Sequence, residues 1–292
     1  MNTSATIQQY PFKSGLAQEF EVVSIEELYH KHADLLCVPH RTNFYHIMWF
    51  TAGAATHHID FKPIGSQPNT VLFLHKDSVK QFASADSLSG NVIFFTDSFF
   101  AQTAEDTLYL NTSILFNDFF SIAEIQPKEY LNPLGQTMEL IKAEFQKNVD
   151  HSQSAILKNL LHNFLLLSER ERRKQAFTEI KKGAEMECLM QFKGLLEKHF
   201  HSIKQVSAYA EKMNVTEKKL LTSTNKILGK SPKEMIDERI TLEAKRLLAY
   251  THLSVKEIGF ELGFDEPTNF VKYFRKNAAQ SPMEFRESSS LT

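Results

Sequence analysis

The decapeptide VSAYAEKMNV at residues 206–215 returns, 49 positions later, as VKEIGFELGF at residues 255–264. Val206 falls on Val255, Ala210 on Gly259, Met213 on Leu262, Asn214 on Gly263 and Val215 on Phe264. One extra residue enters the second copy, and the match resumes at a shift of 50. Leu220 then meets Phe270, Leu221 meets Val271, Lys226 meets Lys276, and Ser231-Pro232 meets Ser281-Pro282. Such a repeat is one supersecondary unit used twice. The unit reads as short helix, tight turn, second helix. Ala210 and Gly259 stand four residues before the turn, where two helix axes come close and a bulky side chain would hold them apart. Asn214 and Gly263 occupy the turn, and both residue types tolerate the left-handed backbone that a tight corner needs. Ser254-x-x-Glu257, Ser231-x-x-Glu234 and Ser281-x-x-Glu284 have capping-box spacing, the last two with Pro at the first helical position. This is the pattern of a helix-turn-helix, whose second helix enters the major groove of DNA.

On these residues the chain resembles the AraC/XylS family of bacterial transcription regulators. The residues that carry the resemblance are IGFELGF at 258–264, NFVKYFRK at 269–276 and SPMEFR at 281–286. The family's strongest element is the Gly-Phe pair followed by a helix containing F-x-x-x-F. The match covers residues 187–287 closely and the remainder loosely. Two departures stand out: Gly259 replaces the usual Ala, and Thr224-Asn225 replaces the usual Phe-Lys of the first recognition helix.

The net charge of −2 hides an asymmetry. From residue 203 onward there are 15 Lys+Arg against 12 Asp+Glu, and before it 18 against 23. The bias favours nucleic-acid contact by the last third, with any phosphate grip coming from local clusters. Cys37 and Cys188 are too few and too far apart for a disulfide framework or a Cys-based zinc site. The N-terminal segment lacks the basic start and apolar run of a signal peptide, and no apolar stretch approaches 18 residues. A soluble, cytoplasmic protein is expected.

Residues 1–20 read as a polar lead-in. From 20 to about 100 the texture is β: FYHIMWF at 44–50, HHIDF at 57–61, TVLFL at 70–74 and VIFF at 92–95 read as strands, with PIG at 63–65 as a turn. Several short strands of this kind suggest a small barrel or sandwich, and their order resembles the cupin-like sensor domain that precedes the DNA-binding unit in many such regulators. After Pro133 the period becomes helical, with Leu134, Met138, Ile141, Phe145 and Val149 on one stripe. A second helix from about Ser154 to Arg173 carries Leu157, Leu160, Leu161, Phe164, Leu165 and Leu167. These helices serve either as intradomain core or, as the resemblance implies, as a pairing surface in a homodimer. The fold expected is α+β: a cupin-like sensor barrel over 1–130, a helical dimerisation or linker hairpin over 131–175, a linker over 176–185, and an all-α double helix-turn-helix domain over 186–292.

On the second recognition helix Phe270 and Phe274 face inward, which leaves Pro267, Thr268, Val271, Lys272 and Arg275 outward. Lys and Arg suit phosphates or guanine edges, Thr a base or phosphate, and Val a thymine methyl. The resemblance matches Pro267, Thr268, Val271 and Lys272 to base-contacting positions. In the first copy Lys218, Leu221 and Thr222 take the corresponding places around the buried Leu220, and Lys219 and Lys226 are phosphate contacts. The competing reading is a solvated helix face with incidental lysines.

Histidines in the β region raise a metal site. A cupin set starts His-x-His, but His40 is followed at the second position by Thr42, His46 stands where an acid is expected, and Lys80 lies near the place of the last His. The set is broken, so no metal and no cofactor is assigned. A small organic effector lined by His40, Tyr45, His46, Trp49 and His57 is the alternative, although strand alternation forbids all five from pointing inward. Gly229-Lys230-Ser231 imitates the end of a phosphate loop, but Thr224 stands where that loop needs Gly. No catalytic motif occurs. The chain reads as a regulator that places two recognition helices in adjacent major-groove turns of promoter DNA, with RNA polymerase as a partner if it activates. The alternatives are a metal-dependent cupin enzyme with a helical tail, or a ligand-free regulator whose barrel only dimerises.

Overall fold

The aromatic run at residues 44–50 becomes the middle strand of a five-stranded sheet, and its alternation decides which core each side chain enters. Tyr45, Ile47 and Trp49 enter one core, while Met48 and Phe50 enter a second, where His46 also packs against Phe94. The computed structural model describes residues 7–84, 87–116, 122–127, 133–175 and 183–289. The chain separates into two compact units, residues 9–179 and residues 180 onward.

The strands are β1 (Gln8–Tyr10), β2 (Phe20–Ser24), β3 (His40–Thr42), β4 (Tyr45–Ala52), β5 (Ala55–Ile59), β6 (Lys62–Ser66), β7 (Thr70–Leu74), β8 (Lys80–Gln81), β9 (Ser89–Phe95) and β10 (Ala123–Ile125). The first sheet runs β1-β3-β8-β5-β6 and the second β10-β7-β4-β9-β2. The second sheet is antiparallel throughout, with Ile47 opposite Phe73 on one side and Ile93 on the other. Both sheets contribute to one core, in which Ile59 and Phe82 meet Met48, Phe50, Leu72 and Phe94. The helices of this unit are α1 (Ile25–Leu36), α2 (Asp97–Phe100), α3 (Ala104–Thr112), α4 (Pro133–Phe145) and α5 (Gln153–Lys174). α4 and α5 cover the other face of the second sheet, where Met138, Ile141, Leu161 and Phe164 join Trp49 and Phe73.

Four expectations need correction here. PIG at 63–65 is not a turn but the interior of β6. The chain reverses one step earlier at Asp60-Phe61, both at positive φ (48° and 68°), the two-residue hairpin that matches strand twist. Pro63 is tolerated because β6 is an edge strand with no further ladder to supply. Residues 25–36, read as part of the β region, form α1, capped where the Ser24 hydroxyl accepts from the Glu27 amide at 3.0 Å. The lead-in also contributes β1 to the first sheet. Val149 lies beyond the end of α4 and is 67% exposed, so the helical stripe stops at Phe145.

The second unit is helical: α6 (Ala184–His199), α7 (Val206–Lys212), α8 (Glu217–Leu228), α9 (Pro232–Tyr250), α10 (Val255–Glu261), α11 (Pro267–Ala278) and α12 (Pro282–Ser289). Reciprocal capping bonds form at Ser231–Glu234, Ser254–Glu257 and Ser281–Glu284, as the spacing predicts. α9 carries Ile236, Ile240, Ala244 and Leu248 on its buried side and touches α6, α8, α10, α11 and α12. Of the expected linker, residues 176–182 lie outside the described residues.

Candidate nucleic-acid interface and cavity

Each turn of the duplicated unit is built as its sequence requires. Asn214 and Gly263 both take the left-handed conformation, with φ of 53° and 71°. Behind them, the amides of Val215 and Phe264 donate to the carbonyls of Ala210 and Gly259, at 3.0 and 2.9 Å. A Cβ on Gly259 would sit 3.2 Å from the Cβ of Phe270, so the alanine usual here would need the Phe270 side chain, Cβ included, to give by a few tenths of an ångström. Gly263 has no such freedom, because a Cβ there would fall 1.8 Å from the His201 carbonyl oxygen. The helices after the turns are anchored by Leu220 in α8 and by Phe270 and Phe274 in α11, all fully buried. Burying each is worth roughly 1.5–3 kcal/mol.

What these anchors leave outside is polar and basic. On α8, Lys218, Lys219, Thr222 and Lys226 are exposed, as is Leu221 at 42%. On α11, Thr268, Lys272 and Arg275 are exposed, and Pro267 and Val271 are half-buried. Lys226 is engaged: its Nζ lies 2.8 Å from Glu185 of α6, and that contact holds the Glu185 carboxyl below its ordinary range. The Thr222 hydroxyl donates back to the Lys218 carbonyl at 2.8 Å, which leaves its oxygen free to accept.

Side chains that the repeat did not single out fix these helices to their frame. Tyr273 of α11 donates to Asp237 of α9 at 2.6 Å; burial first, and that carboxylate second, push its phenol up. Arg239 of α9 lies 3.8 Å above the Phe200 ring, 2.7 Å from Glu197 and 3.1 Å from Glu243. Arg286 of α12 donates to the carbonyls of Leu248 and Leu253 at 3.1 and 2.6 Å. Most telling is Lys204, ahead of the first motif, whose Nζ donates to Gly263 at 2.6 Å and covers the Phe264 ring at 4.6 Å. Its neighbour His201 bonds the Glu261 carbonyl at 3.2 Å. The entry to one motif thus docks on the turn of the other, a contact with no local sequence signal.

The Helix-turn-helix domain model matches residues 209–288, and the AraC-like ligand binding domain model matches residues 24–165. The chain belongs to the AraC/XylS family. It is therefore a DNA-binding transcription regulator with an N-terminal ligand-binding domain, not an enzyme. Over 252 residues, 85% of this AraC/XylS-family chain and 86% of its relative, it is 21% identical to the HTH-type transcriptional activator RhaS of Pectobacterium carotovorum. Among solved structures it is similar to ToxT of Vibrio cholerae, at 13% identity and a TM-score of 0.42, covering 92% of this chain and 98% of that one. The C-terminal domain of the response regulator yesN of Fusobacterium nucleatum is 23% identical, with a TM-score of 0.31, over 32% of this chain and 93% of that one. No helix among the described residues is long and apolar enough to cross a membrane.

In the ligand-binding unit of this AraC/XylS-family chain the five side chains proposed to line an effector site separate. Tyr45 and Trp49 face the helices α2 and α5: the Tyr45 hydroxyl donates to Asp97 at 3.0 Å and Trp49 packs near Phe164. They leave the candidate set because alternation sends them to the opposite side of β4. His57 faces the space between the sheets but is fully employed. Its Nδ1 accepts from the Ala83 amide at 3.2 Å, which fixes the proton on Nε2, 3.0 Å from the Ser66 hydroxyl. His40 and His46 do line a cavity, of about 390 Å³, bounded by α1, β3 and the segment Tyr10–Lys13. Burial pushes the His40 and His57 rings down to about 4 and the His46 ring well below its ordinary value. All three are therefore neutral at pH 7.

Proposed function

We propose that α8 and α11 are the two recognition helices and that they enter successive major-groove turns of promoter DNA. On this reading Leu221, Thr222, Lys218 and their counterparts Pro267, Thr268, Val271 and Lys272 meet base edges. Lys219, Lys226 and Arg275 meet phosphates. The observation that supports it best is the duplicated turn itself: two left-handed corners, each followed by a helix that buries one apolar anchor row and exposes a basic face. Adjacent major-groove turns lie about 34 Å apart, and the single helix α9 is the natural spacer. The test is anisotropy binding to promoter fragments with Lys272→Ala and Arg275→Ala. A base contact should cost about 1–3 kcal/mol and relax specificity, and a phosphate contact should lower the salt slope by about one. Unchanged affinity in both variants would remove α11 from the interface.

The ligand-binding unit, over 1–130 with a helical segment over 131–175, is proposed to pass an effector signal to a homodimer by shifting a pre-existing equilibrium. After α4 and α5 have covered the sheet, Leu140, Ile156 and Leu166 remain 57%, 39% and 46% exposed, and these would pair with a second copy. Sedimentation of Leu166→Glu against the unaltered chain checks it: equal masses would remove α5 from the interface. Because the RhaS relative is named an activator, we assign this chain the same sign, with RNA polymerase as its partner.

A further inference from the structure

Phe270 and Phe274 hold α11 in place, yet by themselves they leave one motion open. They are four residues apart and fully buried, so they lie on a single stripe along the helix. One stripe fixes how deep the helix sits and resists rolling about its axis poorly. Roll matters because Thr268, Val271, Lys272 and Arg275 point wherever the helix turns them. A side-chain tip lies about 6 Å from the helix axis, so a roll of about 15° carries it about 1.5 Å, enough to spoil a hydrogen bond to a base edge.

Tyr273 opposes that roll. It stands about 60° around the helix from Phe270, on the opposite flank from Val271. Its phenol donates to Asp237 of α9 at 2.6 Å and its ring packs on Phe264 at 5.1 Å. Lys233 of α9 covers the same ring at 5.6 Å while pairing with the Asp237 carboxylate. That carboxylate side chain is only 16% exposed, so little water competes for the bond. The phenol, pushed up by burial and then by Asp237, stays a donor. The first copy is built differently at this point. Ser223 stands at the matching position of α8, buried, and its hydroxyl has no hydrogen-bond partner among the described residues. Thr224 takes the place of Phe274, its hydroxyl donating within α8 to the Leu221 carbonyl at 3.2 Å. The ion pair that ties α8 sideways, Lys226 with Glu185, is exposed at both ends, and such pairs hold little.

We infer that Tyr273 and Asp237 are positioning residues for sequence reading: their bond sets the roll of α11, and with it which outward side chains face the bases. This rests on the proposed reading of α11 as a recognition helix and adds to it two residues that act without touching DNA. The half-site read by α11 is discriminated through this pin, and the half-site read by α8 is not.

The test uses the full chain and a duplex that it selects from a randomised pool, with single base-pair substitutions across both half-sites. The readout is the ratio of Kd for each substituted duplex to Kd for the selected one. Unfolded protein weakens both alike and cancels in that ratio, so lost stability alone does not move it. Tyr273→Phe keeps the ring and deletes the hydroxyl. Ratios in the half-site read by α11 should fall about fivefold, while those in the other half-site hold within about twofold. Asp237→Leu should do the same, and the double variant should lose no more than either alone, as for two groups acting through one bond. Asp237→Asn keeps an acceptor for the phenol and should retain most of the discrimination. The contrast between Asp237→Leu and Asp237→Asn decides the matter if Tyr273→Phe fails to fold. Lys272→Ala on the same duplexes locates the half-site of α11. Base pairs relaxed by Lys272→Ala but left sharp by Tyr273→Phe would overturn the positioning role and leave the recognition helix standing. Ratios that fall equally in both half-sites would overturn that role as well. If Lys272→Ala relaxes no base pair, the reading of α11 falls and this inference falls with it.

Discussion

Gly263→Ala should damage the second unit far more than Gly229→Ala, although both glycines have the same left-handed backbone. Gly229 caps α8 at φ 66° and a Cβ there would meet nothing within 4 Å. Its substitution costs only the left-handed strain of an L-residue, roughly 1–2 kcal/mol. Gly263, at φ 71°, carries that strain and a collision, since its Cβ would lie 1.8 Å from the His201 carbonyl oxygen. Relief needs the 201–204 segment to retreat by more than an ångström. That movement breaks the His201–Glu261 contact and the Lys204–Gly263 bond, worth about 1 and about 2 kcal/mol as a neutral and a charged hydrogen bond. The expected totals are about 4.5 kcal/mol for Gly263→Ala and about 1.5 for Gly229→Ala. Urea unfolding followed by helical circular dichroism reads the loss. Fluorescence of Trp49, the single tryptophan, reports on the other unit and should not move. Equal losses in the two variants would refute the close-contact argument.

Ala279, the counterpart of Gly229, holds a left-handed cap at φ 59°, so Ala279→Gly should stabilise by about 1 kcal/mol in the same urea assay. Tyr273→Phe removes the 2.6 Å bond to Asp237 and should cost about 1.5–3 kcal/mol, as for a bond to a charged acceptor; an unchanged midpoint would show that bond to be idle. Acid should weaken the ligand-binding unit. His40 and His57 are held down to about 4 when folded and titrate near 6.5 when unfolded. The stability they contribute is complete above about pH 6.5 and drains as pH falls toward 4, with a slope of up to about 1.4 kcal/mol per pH unit for each ring. A Trp49-monitored midpoint that stays flat between pH 7 and 4.5 would contradict the buried-neutral assignment. Glu185→Gln should free Lys226 and tighten DNA binding at low salt by a few fold, an advantage that vanishes at high salt.

The second unit was legible almost residue by residue because its signals are local. A turn glycine, a capping serine and an anchor phenylalanine each act within a few positions, and the duplication let one copy check the other. The first unit was legible in class but not in detail. Alternation on β4 is visible in the sequence, yet which parity faces the sheets' shared core depends on where α4 and α5 pack, so the sequence alone does not separate Tyr45 and Trp49 from His46. α1 is hidden in the sequence by the β texture of the strands that flank it, although Ser24-x-x-Glu27 marks its start. The cavity was out of reach for the same reason: Lys80 and Thr42 meet only because β3 pairs with β8. Nothing in either segment alone signals that encounter.

The docking of His201 and Lys204 on the corner at Gly263 has a consequence for the operator. Two reading heads joined by one helix could still pivot about it. Heads that also clasp each other through a lysine and a carbonyl keep a fixed phase. If both motifs read DNA as proposed, a regulator built this way would measure the distance between its half-sites instead of adapting to it. Five base pairs inserted between them would turn one half-site to the far side of the duplex, and loosening the clasp with Lys204→Ala should restore part of the lost binding.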